Sequence, residues 1–279
     1  MPELSYCGIE VRRHDRERFL AALFTPADLR EAVFALLAFN LEIAKTRDVV
    51  SEPMLGQIRL QWWREALDGA FAGRPRAHQV VEPLARAIAD HALPRAPFDT
   101  LIDAREQDLT DEAPPDLDAL IAYARDTTAP LLTLWAAVLG ETDSTVQQAA
   151  TAVGVAYGLS GLMRRLPADA ARRRITLPTR LVEEVAVDMG EVFELRPHDA
   201  LARAVQQVCE AGAVQLAAAV ALRGQVPRAA RPALLSATIA RRHLAVLRRS
   251  RFDVFDPRVA RAAGLLPAQL AWAALRGRY

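Results

Sequence analysis

The stretch Thr25-Pro26-Ala27-Asp28-Leu29-Arg30-Glu31-Ala32-Val33-Phe34-Ala35-Leu36-Leu37-Ala38-Phe39-Asn40-Leu41-Glu42-Ile43-Ala44 reads as one helix with a core-facing stripe. Thr25 offers an N-cap oxygen, Pro26 suits a first turn that needs no amide, and Asp28 sets an acid at the positive helix end. Leu29, Val33, Leu36 or Leu37, and Asn40 recur at helical spacing, so an amide continues an otherwise apolar face. Ser51-Glu52-Pro53 repeats the start signal. In the helix it opens, the core face is expected at Leu55, Ile58, Trp62, Ala66 and Leu67, with Arg59, Arg64 and Glu65 outside. Working outward, helices fit about 78–92, 97–109, 116–126, 128–140, 145–165, 179–189, 197–223, 229–250 and 267–276. No segment sustains period-two alternation, and no repeat recurs at fixed spacing. The expected fold is all-α, a multi-helix bundle with its sites between facing helices.

No linker divides the chain: prolines and glycines are scattered singly, and the one Pro-Pro pair, Pro114-Pro115, falls in a short acidic turn. One domain over 1–279 is therefore expected. A hydrophobic share of 52%, mostly Ala and Leu, supplies a core and favours helices over strands. The net charge of +1 gives the whole chain no electrostatic reason to bind nucleic acid. Cys7 and Cys209 form no CxxC, which suits a reducing compartment and implies neither disulfide framework nor zinc site. No basic start is followed by an apolar run, so no signal peptide is expected. The longest apolar stretches, around Leu131 to Leu139 and Ala211 to Leu222, read as too short or too interrupted to cross a bilayer. A soluble or peripheral cytoplasmic protein is the expectation.

HExxH, GxSxG, Walker and GxGxxG patterns are absent, and His14, His78, His91, His198 and His243 share no ligand spacing. Carboxylates remain as candidates, because helical bundles hold Mg²⁺ and diphosphate with acids one turn apart on facing helices. Three segments qualify: Ala38 to Asp48, Leu101 to Leu109, and Gly161 to Asp169, the last followed by Arg172-Arg173-Arg174-Ile175-Thr176-Leu177-Pro178. In this order, with Thr25-Pro26, Ala35 to Phe39, Trp63-Arg64-Glu65, Leu101-Ile102-Asp103 and Tyr123, the chain resembles the squalene and phytoene synthase family of head-to-head prenyl transferases. The resemblance implies an isoprenoid synthase fold with a central cavity, and two DxxxD motifs on opposite helices that hold Mg²⁺ and draw off diphosphate.

Both motifs are broken in the same way: Ala44 and Arg165 replace the leading aspartates, while Asp48 and Asp169 remain. Pro167 disfavours helical geometry at Leu166, so Arg165 and Asp169 are not required to share a face. A like charge about 4 Å from a unit charge costs about 4 kcal/mol at an effective dielectric of about 20, and a divalent ion about doubles it. Arg165 thus opposes metal. The chain resembles more closely the degenerate, non-catalytic subgroup that contains mitochondrial respiratory complex I assembly factor 6. That match rests on Tyr6-Cys7, Glu10-Val11-Arg12, Asp15, Val33 to Leu36, Ala38-Phe39-Asn40, Glu42, Val50-Ser51-Glu52, Gln61, Arg172-Arg173, Phe252-Asp253, Phe255 and Pro257.

The resemblance implies a role in assembling respiratory complex I, with its subunits or assembly intermediates as partners. The place of action is then the cytoplasm or the inner-membrane face, on the matrix side in an organelle. No cofactor and no catalytic residue are expected, and Asp48, Asp103, Asp108 and Asp169 stand as remnant motif acids. The alternative is an active Mg²⁺-dependent transferase condensing two prenyl diphosphates, with Asp48 and Asp169 as metal ligands. The basic cluster beside Asp169 raises a further expectation, an anion pocket for prenyl diphosphate or anionic lipid in which Arg165 and Lys45 replace metal. Its residues are Asn40, Lys45, Tyr123, Arg164, Arg165, Arg172 and Arg173, against the plainer reading of cations at a helix C-terminus. Arg241, Arg242, Arg248, Arg249 and Arg251 with Phe252 and Phe255 suit either an anionic membrane or the exposed basic face of a core helix.

Overall fold

The computed structural model describes residues 4–110, 112–260 and 264–279, and among these every regular element is helical. In chain order they are α1 (Tyr6–His14), α2 (Arg16–Ala22), α3 (Arg30–Ala44), α4 (Thr46–Val49), α5 (Pro53–Phe71), α6 (Val81–Asp90), α7 (Ala96–Glu106) and α8 (Leu117–Val138). Then come α9 (Ser144–Ala170), α10 (Thr179–Glu184), α11 (Met189–Phe193), α12 (Asp199–Leu222), α13 (Ser236–Arg249), α14 (Pro257–Ala260) and α15 (Leu266–Leu275).

Every residue of α3 from Val33 to Asn40 is buried, so this helix is surrounded on all sides. It begins at Arg30, later than the local signals predict. Thr25 does not cap it; the Thr25 hydroxyl instead accepts the Trp135 indole N–H at 3.0 Å, with both residues buried. A distant partner has outbid a local one, because a buried indole N–H left unpaired costs more than a missing cap. The core face of α5 is also shifted from expectation. Gly56, Leu60, Trp63, Ala66, Leu67 and Ala70 are buried, while Leu55 and Ile58 are exposed. Trp63 fixes that rotation by packing edge-on against Phe39 of α3.

Two prolines fail to break their helices. The break expected near Thr127 is absent, since α8 runs through Pro130, and α9 runs through Pro167 to Ala170. An interior proline costs about 3 kcal/mol. Burial of Leu131, Leu132, Leu134 and Trp135 on α8, each worth about 1.5–3 kcal/mol, offsets it. The two helices touch backbone to backbone: a Cβ on Gly154 would stand 2.7 Å from Ala129 Cα. Helix α12 departs from the membrane expectation, for it is long and apolar enough to cross a bilayer by length and composition. In this fold it buries Leu201, Val205, Val208 and Leu216 within the bundle.

Helix α9 links two apolar clusters. Val146, Ala149, Ala150, Ala152, Val153 and Ala156 belong to the larger one, around α3 and α8, and Val155, Leu159, Met163, Leu166 and Ala170 to the smaller one, with α12 and Leu177. The remnant motifs lie where the second half of α9 faces α4.

Candidate functional site

Asp48 sits on α4, a single turn after α3, and four guanidinium contacts converge around it and Asp169. Arg165 Nη2 donates to Asp48 Oδ2 at 2.9 Å and Arg165 Nε to Asp169 Oδ1 at 3.0 Å. Arg174 and Arg172 both donate to Asp48 Oδ1, at 2.7 and 3.2 Å. The turn after α9 makes this possible: Arg173 takes φ 57°, and the amides of Arg172 and Arg174 both return to the Asp169 carbonyl. Because α9 stays helical through Pro167, Arg165 and Asp169 pair across one turn. The sequence reading of that proline as a barrier to a shared face is corrected here.

The two carboxyls respond differently. Burial works against Asp48's charge, but the Arg174 hydrogen bond and the Arg165 and Arg172 charges outweigh it and hold its carboxyl below the ordinary range. Asp169 is 4% exposed, and there burial outweighs the Arg165 pair and lifts the carboxyl above its ordinary value. Asp169 as a carboxylate therefore depends on Arg165.

The remaining expected residues do not join this cluster in one pocket. Lys45 pairs with Glu42, which also accepts from Arg59 at 2.7 Å. Asn40 is buried and its Oδ1 has no hydrogen-bond partner. Tyr123 donates to Asp108 at 2.5 Å and accepts from Arg105 at 3.0 Å, while Arg105 also pairs with Asp108. Asp103 binds Arg64 at 2.7 Å. Arg164, adjacent to Arg165, turns the other way, toward Glu17 at 3.3 Å and His243 Nε2 at 2.6 Å. Arg173 lies over the Phe193 ring. The single anion pocket expected from these seven residues thus divides into separate groups, with Lys45, Arg164, Arg165 and Arg172 each paired to an acid and Arg173 set over a ring.

Sequence reasoning missed Arg18, Arg105 and Glu17; it saw Arg174 in the basic run without placing it in the pocket, and set His243 aside for want of ligand spacing. Arg18 pairs with Asp15 and lies 5.4 Å above the Tyr157 ring. His243 is 3% exposed and joins Glu17 of α2 to Ser160 of α9. Spacing could have found the i,i+3 pairs Asp15–Arg18 and Arg105–Asp108; no local signal joins Glu17 to His243.

A profile of the squalene/phytoene synthase family matches residues 11–264. The chain belongs to this family. Complex I assembly factor 6 of Rattus norvegicus is 31% identical to it over 274 residues, 98% of this chain and 82% of that protein. A dehydrosqualene synthase solved with ligand superposes with a TM-score of 0.85 at 17% identity, covering 97% of this chain and 94% of that one. A squalene synthase from Alicyclobacillus acidocaldarius gives 0.78 at 23% identity, covering 88% and 93%. These two likenesses place the chain in the isoprenoid synthase fold.

The family implies Mg²⁺ between the motif helices, and the donor set does not fit it. Mg²⁺ needs near-octahedral oxygen at about 2.0–2.1 Å, usually from one or two carboxylates, water and phosphate. Here both Asp48 oxygens accept from arginine, and Arg165 occupies the space between Asp48 and Asp169. Asp103 and Asp108 are each held by a different arginine. Among the described residues no group of three or more His, Cys, Asp or Glu side chains is placed to hold a metal. This family member also fills the space between its motif helices with ion pairs. A cavity of about 310 Å³ lies at the C-terminal end of the fold and one of about 10 Å³ beside Glu17 and His243. Neither is the central cavity that the resemblance implies.

Proposed function

We propose that this chain is a non-catalytic squalene/phytoene synthase-like protein that assists assembly of respiratory complex I. Arg165 carries the reading. It stands where the family's leading aspartate would stand and takes up both remaining aspartates, so the cation that closes the two helices is part of the chain itself. An arginine cannot leave, exchange waters or carry away diphosphate as Mg²⁺ does, and it needs no cofactor. What remains is a rigid helical body with its motif helices locked. Full-length similarity to proteins named as complex I assembly factor 6 supports the assembly role. The partners on this reading are complex I subunits or assembly intermediates, met at the cytoplasmic membrane face or, in an organelle, the matrix face of the inner membrane. A prenyl diphosphate or anionic lipid would be a bound ligand, not a substrate.

Two measurements test this. Deleting the gene should lower assembled complex I and its NADH dehydrogenase activity, and normal assembled complex in the deletion strain would refute the role. Purified protein with geranylgeranyl diphosphate and Mg²⁺ should release no diphosphate. Release that disappears in Asp48→Ala would restore the transferase reading.

A further inference from the structure

A second concentration of cations lies at the C-terminal end of the fold, apart from the motif site. The cavity of about 310 Å³ there is lined by Arg228, Arg231, Arg276 and Arg278 over a floor that includes Phe24 and Leu235, and among the described residues no acid lines it. Arg231 Nε is buried without a hydrogen-bond partner. Beside the cavity, α15 is apolar on two sides. Leu266, Leu270 and Ala273 are buried, whereas Leu265, Trp272 and Leu275 are 70%, 58% and 83% exposed. Residues 265, 272 and 275 fall on one helical face, so these three side chains form an outward apolar ridge. Arg276 lies 4.1 Å over the Trp272 ring, joining the ridge to the basic rim.

We propose that this face docks on an anionic phospholipid surface, with Trp272 and Leu275 entering the headgroup boundary and the arginine-lined cavity taking a lipid phosphate. The chemistry selects this occupant. Exposed Trp and Leu bordered by arginine suit an interface that is apolar below and anionic above. The planar arginine fork matches phosphate oxygens two at a time. The other basic surface considered from sequence lacks the apolar half: Phe252 and Phe255 beside Arg248, Arg249 and Arg251 are partly buried against the smaller core cluster. It therefore serves as a control. Docking does not rest on the assembly role, since vesicles report it without complex I and a deletion strain reports the role without vesicles.

The test is co-sedimentation of the full chain with vesicles of phosphatidylcholine alone and of phosphatidylcholine mixed with phosphatidylglycerol. Binding should require the anionic lipid and weaken with salt. It should fall about fivefold for each arginine removed in Arg228→Gln and Arg278→Gln. Trp272→Ser with Leu275→Ser should also weaken it, and Arg248→Gln with Arg249→Gln should leave it unchanged. All four substituted positions of the face are exposed. Unchanged circular dichroism and Tm in each variant would tie the losses to docking. Equal recovery on neutral and anionic vesicles, or undiminished binding by the C-terminal variants, overturns the proposal. So does full inhibition by inorganic phosphate at millimolar concentration, which would make the cavity a site for a small soluble anion. Capture of a protein partner by this face without any vesicle binding would overturn it as well.

Discussion

Replacing Arg165 with alanine removes the cation that both remnant aspartates share, and the consequence can be sized from the geometry. At about 3 Å and an effective dielectric of about 20, one ion pair is worth about 5 kcal/mol before screening. Arg165 is 47% exposed, so solvent removes much of that value, and Asp48 keeps Arg172 and Arg174. Asp169 fares worse: its side chain is 5% exposed and Arg165 is its side-chain ion-pair partner. Leaving a buried acceptor of that kind without its partner costs about 1–3 kcal/mol. For a chain of this length each kcal/mol lowers Tm by about 2–4 °C. The assay is thermal and urea unfolding of wild type, Arg165→Ala, Asp169→Asn and the double variant. Asp169→Asn should largely rescue Arg165→Ala, because the amide is neutral and the uncompensated charge disappears. Acid should rescue it too. Asp169's folded pKa is already raised and rises further without Arg165, so the penalty is absent below the unfolded value and appears as pH rises through the folded one. A loss under about 0.5 kcal/mol, or strict additivity in the double variant, would refute the view that Arg165 neutralises Asp169.

Gly154→Ala should destabilise by about 1–3 kcal/mol in urea unfolding, because the added methyl meets the α8 backbone, and a neutral effect would mean α8 and α9 are more loosely seated. Burial outweighs the Glu17 contact and lowers His243 below its ordinary 6.5. Stability should therefore be full above that pH and fall as pH drops through the folded value, and His243→Gln should flatten the profile on the acid side of His243's ordinary value. Millimolar Mg²⁺ should leave Tm unchanged, as binding to the folded state would raise it. In Ala44→Asp with Arg165→Asp, Mg²⁺ should raise Tm, and a response of wild type equal to that of the variant would show a metal site that the arginine does not block.

How much of this was legible without coordinates is clearest at particular residues. Helical periodicity, a core rich in Ala and Leu, and the absence of alternation identified an all-α bundle, since these signals depend on neighbours three and four positions away. The broken motifs were equally plain: Ala44 and Arg165 are facts of the chain, and the repulsion between arginine and Mg²⁺ follows from charge alone. The sequence did not reveal what arginine does in exchange. Whether Arg165 pairs with Asp169 depends on α9 persisting through Pro167, and its persistence depends on packing that offsets one lost hydrogen bond. Thr25 reads as a cap until Trp135, 110 residues away, claims its hydroxyl. Leu55 reads as core until Trp63 and Phe39 set the rotation of α5. Glu17, Ser160, Arg164 and His243 lie on three helices and meet only when those helices do. Local patterning thus determined which segments are helical and which charges were lost. Tertiary packing decided which side chains meet, because burial and long-range pairing carry more free energy than a cap, a proline or the phase of a helical stripe.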